Sequence, residues 1–440
     1  MHKIFTPRLS VVLVGLAFSG TAAASGFQLW EQSGSGLGNA YAGSAAVADN
    51  ASTVFFNPAG MTQLQAREVS FGTNLIKTSY KFSNNGSSTG SLSGSGNDGG
   101  GLGVVPNGYM SMALNKDWYV GLGVGAPFGL ATKYDSPWIG AAQSVKFEIK
   151  TINVNPSVAW RASETVSLGF GVNWQRLDAE YIRTVGVTNI PGTVNVAGAT
   201  ATLNLEDSAW GWNAGVLFTL SPATKLGVSY RSSIKHDVNG DVKVTSNGDP
   251  TANATVAGLN AAGASSNTRA TITLPDTFIL SGTHKLNDKW ELLGDLSWTG
   301  WSSIPKVDIL RTSGVLNGAT AQTLITDFRD TWRVALGANY TLDSTWKLKA
   351  GLAYDQTPVK GENTRLVSLP DNDRVWLSIG AQYKPNKSTS VDVGATYLYV
   401  RDSTINNDQT SASVTANKGL VKGNYDANAL ILGAQLSMAF

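Results

Sequence analysis

The chain has 440 residues, with 15% charged against the roughly 25% usual in soluble domains, 48 glycines, 13 tryptophans and no cysteine. Soluble, disordered and disulfide-rich classes fit that composition poorly. At 42% apolar, and without an uninterrupted apolar run of the roughly 18 residues a spanning helix needs, the chain cannot form a membrane helix bundle, which leaves a β-rich protein.

Residues 1–24 read as a secretory signal: Lys3 and Arg8 open it, Leu9 to Phe18 are mostly apolar, and Ala22-Ala23-Ala24 offer small residues for cleavage before Ser25. Its removal takes two of the 33 basic residues and none of the 31 acidic ones, so the mature chain carries 31 of each and no formal net charge. No affinity for nucleic acid follows. The lack of cysteine excludes iron–sulfur clusters and thiol nucleophiles and suits an oxidising envelope compartment.

Residues 25–66 are rich in Gly, Ala, Ser and Asn and lack strand alternation. They are either a disordered tail or a compact segment. The apolar groups in "FQLW", "AYAG" and "TVFFNPAGM" favour a plug within a barrel at 67–440, which would otherwise enclose a wide water channel.

Fourteen strands are expected near 67–82, 107–115, 118–126, 145–162, 165–183, 209–220, 223–236, 272–286, 289–302, 329–342, 345–357, 372–384, 388–401 and 425–440. In the ninth, Trp290, Leu292, Gly294, Leu296 and Trp298 share one face, while Glu291, Leu293, Asp295, Ser297 and Thr299 share the other. The split recurs from Trp210, Trp332, Trp346 and Val391, and Leu430 to Phe440 alternate to the last residue. A soluble sandwich would turn the greasy face inward. Aromatics at the ends of the greasy rows, opposite charge and glycine, favour an all-β, antiparallel transmembrane barrel with a polar lumen and an N-terminal hatch.

Connections alternate in length. Short ones such as 115–117, 221–224, 286–288 and 385–387 should be periplasmic. Long ones near 83–106, 127–144, 184–208, 237–271, 303–328, 358–371 and 402–424 should be extracellular, the first a low-complexity stretch expected to be mobile.

The segment "SGFQLWEQSGSGLGNAYAGSAAVADNASTVFFNPAGM" (25–61), with its Asn57-Pro58-Ala59 motif, resembles the N-terminal hatch of the long-chain fatty acid transporter family of Gram-negative outer membranes. The blocks "GLGVGAPFGLATKYDSPWIG" (121–140), "WGWNAGVL" (210–217), "LGVSYRSSIKHDVNG" (226–240), "LSWTGWS" (296–302) and "LPDNDRVWLSIGAQY" (369–383) are similar to it in order along the chain. The resemblance implies a monomeric barrel in the cell outer membrane, surrounded by its lipid and lipopolysaccharide and inserted by the barrel assembly machinery. It implies no cofactor and no metal. The cargo would be hydrophobic small molecules, either fatty acids or neutral hydrocarbons, moved inward without an external energy source.

The resemblance also implies a capture site between 184–208 and 237–271, where Val194, Val196, Leu203, Val256 and Leu259 would either form an exposed apolar groove or equally pack the loops. Arg183 matches by position an arginine that contacts the ligand head group, and its guanidinium could hold a carboxylate by two hydrogen bonds. The alternative is a pairing with a lumen Asp or Glu. A second basic position falls on Leu324, a loss unless Arg329 replaces it, and that departure favours a neutral ligand.

Pro127 lacks an N–H and cannot complete a strand ladder, so the third strand either kinks there or ends. The resemblance implies a lateral exit at this strand, formed by Gly123, Gly125, Pro127 and Gly129. Enzyme chemistry is not expected, because neither His236 nor His284 accompanies a serine motif. The GxGxxG at 94–99 follows no βαβ unit and is no dinucleotide site. A general diffusion porin is the reading outside the family, and the plug argues against it.

Overall fold

Along the ninth wall strand, Trp290, Leu292 and Leu296 are exposed, whereas Leu293, Asp295, Ser297 and Thr299 are buried. Leu430, Leu432, Leu436, Met438 and Phe440 are likewise exposed, with Gln435 and Ser437 buried opposite them. Apolar side chains facing out and polar ones facing in invert the order of a water-soluble sheet. They match a wall whose outer solvent is lipid.

The computed structural model describes residues 26–185, 199–246, 248, 250–411 and 417–440. Among these, fourteen antiparallel wall strands follow one another: β1 (Arg67–Asn84), β2 (Leu102–Ala113), β3 (Trp118–Gly125 and Gly129–Lys133), β4 (Lys146–Arg161), β5 (Val166–Thr184), β6 (Ala199–Ser221) and β7 (Thr224–Arg231 and Ile234–Ser246). The circuit continues through β8 (Ser266–Leu274 and Thr277–Lys285), β9 (Trp290–Thr299 and Lys306–Arg311), β10 (Thr320–Ile325 and Thr331–Thr341), β11 (Trp346–Asp355), β12 (Arg374–Asn386), β13 (Thr389–Val400 and Ser403–Gln409) and β14 (Gly419–Ala439). β14 pairs with both β13 and β1, from Glu68↔Ala439 to Asn84↔Gly423, and closes the barrel without a free edge.

A strand needs only about 9–11 residues to cross a bilayer. β5 has 19 residues and β6 has 23, so their outer halves project beyond it. The side chains record the boundary. Along β6 the odd-numbered residues face inward throughout, but the apolar set changes face: Leu203 and Leu205 are buried, whereas lower down Trp210 and Trp212 are exposed. On β5 the outward row changes from Leu168, Phe170 and Val172 to Arg176, Asp178 and Glu180, while the inward row changes from Asn173 and Gln175 to Leu177 and Tyr181. Below the switch the wall has lipid outside and a polar lumen. Above it, water lies outside and an apolar interior lies within.

This corrects the expected loops. Residues 199–208, placed in a loop by sequence, extend β6, and 237–271 holds the end of β7, helix α1 (Pro250–Ala261) and the start of β8. The stretch 83–106 is tied down, contrary to the mobile loop expected. The Asp98 carboxylate accepts from Ser79 Oγ and the Tyr80 N–H (both 2.7 Å), and the Gly99 N–H donates to the Tyr80 carbonyl (2.9 Å).

Aromatic pairs mark the rim near the short turns. Trp118 stacks on Trp160, and Trp290–Tyr340 and Trp346–Tyr383 each lie 4.8 Å apart, as side chains at a lipid–water interface do.

Residues 26–66 lie within this wall. Leu37, Ala40 and Tyr41 are buried against inward residues of the wall, among them Ala335, Ala353 and Ile431. Its turns leave many backbone groups unpaired, and the polar lumen supplies their partners. Lys349 Nζ donates to the Ser35 carbonyl (2.8 Å) and Arg333 Nη2 to that of Ala40, while in the other direction Asn39 Nδ2 donates to the wall carbonyls of Ala338 and Ala350.

Candidate ligand chamber and wall break

Above the polarity switch, the inward faces of β4 to β10 line an apolar cavity. Ile149, Leu177, Leu203, Val238, Ile309 and Leu324 supply the walls, and the lining is almost wholly apolar. Phe27 closes the bottom. Its ring lies 4.8 Å from Trp301 and 5.9 Å from Phe128, and Trp301 is fully buried because the interruption in β9 turns it inward. Gly26, at φ +61°, has no room for a side chain, since a Cβ there would meet Trp301 at 2.7 Å. Its N–H donates to Asp371 Oδ2 at 2.9 Å.

The residues expected to form a capture groove divide. Leu203 lines the chamber, Val256 on α1 is buried in the same apolar cluster, and Leu259 is half-buried against it. They are packed rather than exposed, a correction that follows from the extension of β6 and the folding of α1 over the mouth. Val194 and Val196 lie outside the described residues.

Arg183 is the next inward position beyond Tyr181, which lines the chamber, so the strand repeat sets it near the outer mouth. Among the described residues no carboxylate lies within 4 Å of its guanidinium, whose recorded bond is a 3.5 Å contact from Nη1 to the Thr184 carbonyl. Leu324 is a chamber wall residue. Arg329 is held by the Thr357 carbonyl (3.1 Å) and by Asp373 (3.9 Å), so its charge is already engaged.

At the third strand the chain does kink. β3 stops at Gly125, skips Ala126, Pro127 and Phe128, and resumes at Gly129. Its first segment pairs with β2 up to Gly108↔Val124 and with β4, whereas its second pairs with β4 alone among the described residues. The ladder between β2 and the outer part of β3 is therefore open.

The N-terminal segment fills the break. The Leu29 N–H donates to the Pro127 carbonyl and the Gly129 N–H to the Phe27 carbonyl, both at 2.8 Å, around a bridge between Gln28 and Phe128. Gln32 Nε2 donates to the Ala126 carbonyl at 2.7 Å. A Cβ on Gly125 would meet Gln32 Oε1 at 2.5 Å, and one on Gly123 or Gly129 would meet the Tyr109 ring or Leu29 at 3.0 Å.

Asn57 is extended, at φ −159° and ψ 101°, as a residue before proline prefers. Its Oδ1 accepts from the Ala59 N–H and caps the short helix Pro58–Gln63, while Nδ2 donates to the Ala45 and Val216 carbonyls (2.8 and 3.0 Å). Gly215 and Gly169 make room, because a Cβ on either would overlap Asn57 or Ala59.

His236 bonds Asp207 at 3.1 Å and approaches Gln175 at 3.5 Å, and His284 bonds Thr224. Sequence reasoning missed Phe27 and Trp301. An aromatic residue two places beyond the expected cleavage site was the one signal for the first.

Residues 15–440 match the family described as outer membrane protein transport protein (OMPP1/FadL/TodX). The chain is 31% identical over 466 residues to the long-chain fatty acid transport protein of Escherichia coli K12, covering 99% of each. It is 34% identical over 434 residues to outer membrane protein P1 of Haemophilus influenzae, covering 90% of each. In fold it resembles a Pseudomonas aeruginosa FadL homologue (TM-score 0.84, 22% identity, covering 94% of this chain and 99% of the other) and the Pseudomonas putida toluene transporter TodX (0.67, 13%, 93% and 98%).

Proposed function

This chain belongs to the outer membrane protein transport protein family of Gram-negative bacteria, and from that membership we propose that it takes up long-chain fatty acids by capture in the apolar chamber, rearrangement of the N-terminal hatch and lateral exit at β3. One observation carries the reading. Phe27 closes the chamber, and its own carbonyl accepts from Gly129 at the wall break (2.8 Å), so one stretch of backbone serves both places.

An acyl chain entering the chamber gains about 0.8 kcal/mol for each methylene taken from water. A dozen methylenes therefore outweigh the two backbone bonds at Pro127 and Gly129, each worth about 1 kcal/mol net. Displacing the Phe27 ring draws residues 27–29 away from 127–129 and uncovers the open ladder between β2 and β3. The ligand then meets lipid directly, and the polar lumen below Asn173 and Gln175 gives it no reason to continue downward.

The same reading makes the chain a monomeric barrel among outer-membrane lipid and lipopolysaccharide, inserted by the barrel assembly machinery. A second cargo, neutral aromatic or aliphatic hydrocarbon, is favoured by one feature: Leu324, an apolar wall residue, stands where the family resemblance implies a second cation. A general diffusion porin is disfavoured because residues 26–66 occupy the lumen.

The absence of cysteine permits a direct test. Gln28→Cys with Phe128→Cys, at bridge partners, places two thiols at a spacing a disulfide can span. The oxidised protein should bind radiolabelled oleate yet fail to deliver it, and reduction should restore delivery. Equal uptake in both states overturns the hatch-and-exit route.

A further inference from the structure

The interruption between β2 and β3 ends again further out. Below it the two strands are joined up to Gly108↔Val124. Above it the N–H of Lys133, the last residue of β3, donates to the carbonyl of Gly99, just ahead of β2, and the Asp135 N–H donates to that of Gly96, both at 2.9 Å. Gly99 and Lys133 stand equally far along the chain from Gly108 and Val124, so the pairing lost at the kink is regained. Between the two joints each edge carries a residue without an N–H, Pro106 on β2 and Pro127 on β3. The opening is therefore a slot pinned at both ends.

The glycine-rich stretch 94–101 builds the outer joint. Its other edge lies on β1, where the Gly99 N–H donates to the Tyr80 carbonyl and the Thr78 N–H to that of Gly101, both at 2.9 Å. Asp98 holds it there: Oδ1 accepts from the N–H groups of Tyr80 (2.7 Å) and Gly100 (2.9 Å), and Oδ2 accepts from Ser79 Oγ (2.7 Å). Bonds to a carboxylate are about twice as strong as neutral ones. Beyond the end of β3, the rings of Tyr134 and Trp138 stack 4.3 Å apart against this stretch. A Cβ on Gly99 would meet the Tyr134 ring at 2.5 Å, and one on Gly96, at φ +70°, would meet Trp138 at 2.8 Å. The glycines let a strap lie flat between β1 and two aromatic rings.

We propose that this strap sets the cargo specificity of the lateral exit, with Asp98 as its positioning residue: by tying the outer end of β3 to β1 it limits how far the slot can widen, so that slender unbranched chains pass and methyl-branched chains of equal length do not. This rests on the lateral-exit reading above. The mechanical reason lies in the kink. Gly129–Lys133 has a ladder with β4 alone among the described residues and joins the inner part of β3 through the unpaired residues 126–128. Freed at its outer end, such a segment swings aside as a flap. Held at both ends, it can only bow.

The test gives radiolabelled hexadecanoate and tetramethylhexadecanoate, the same chain with methyl branches, to cells carrying the full chain, and measures binding of both to the purified protein in amphipol. The wild type should deliver the straight acid several-fold faster than the branched one. Asp98→Ala should narrow that ratio several-fold with binding of both acids unchanged, because the chamber walls run from β4 to β10. Asp98→Asn, whose Oδ1 still accepts from Tyr80 and Gly100, should keep the wild-type ratio. A wild type that delivers both acids equally, an unchanged ratio in Asp98→Ala, or a shift in Asp98→Asn as large as in Asp98→Ala overturns the assignment. If Asp98→Ala yields no heat-modifiable barrel, Gly99→Ala, which crowds Tyr134, decides in its place by the same ratio. Delivery of the straight acid that survives oxidation of the Gln28→Cys, Phe128→Cys pair removes the exit reading and this assignment with it. Delivery blocked by that disulfide, together with an unchanged ratio in Asp98→Ala, removes this assignment only.

Discussion

Asn57 and Val216 are joined across the lumen, the amide Nδ2 of the first donating to the carbonyl of the second at 3.0 Å, at the point where Gly215 leaves room for the side chain. The N-terminal segment is thereby fastened to β6 beneath the chamber.

Asn57→Ala removes that bond, the one to Ala45 and the cap on Ala59, each worth about 0.5–1.5 kcal/mol net. Because the wall ladders are untouched, oleate uptake should fall several-fold while the amount of heat-modifiable barrel stays normal. Pro58→Ala should act in the same direction, more weakly. Unchanged uptake in both would reduce the motif to a structural turn.

Bulk at the wall break should separate binding from passage. Gly123→Val, Gly125→Val and Gly129→Val place side chains against Tyr109, Gln32 and Leu29, at the break where the proposed route has residues 27–29 withdraw. Each should retain bound ligand and lose inward delivery. Three variants transporting at the normal rate would shift the route to a displaced hatch and the periplasmic mouth.

Arg183→Ala should weaken oleate binding by about 1.5–3 kcal/mol, the worth of a charge-assisted hydrogen bond, and leave a neutral hydrocarbon nearly unaffected. Calorimetric titration with both ligands reads the difference. Equal losses would make Arg183 a structural residue of the mouth.

Phe440 directly follows β14 with its ring exposed, and its N–H donates to the Arg67 carbonyl at 3.0 Å, beside the seam that closes the barrel. Deleting it or making Phe440→Asp should lower the heat-modifiable barrel recovered from outer membranes. Normal recovery would show that the terminal aromatic is dispensable for insertion.

Sequence by itself determined the membrane-facing wall. Lipid on one side and a polar lumen on the other force Trp290, Leu292 and Leu296 onto one face and Asp295, Ser297 and Thr299 onto the other, and that period of two is visible in any such strand. It also marked the kink, since a proline removes a ladder donor wherever it stands. What tertiary structure decided lies above the lipid. There water outside and an apolar chamber inside put Leu203 and Leu205 on the inward face that Asn213 and Gly215 occupy lower in the same strand, so the greasy row changes sides and the alternation reads as loop. The meeting of Phe27 with Gly129, and of Gln143 with Gly419, joins residues about 100 and 276 positions apart. Barrel closure, with β1 paired to β14, brings such ends together, and no local pattern of residue types encodes which of them will touch.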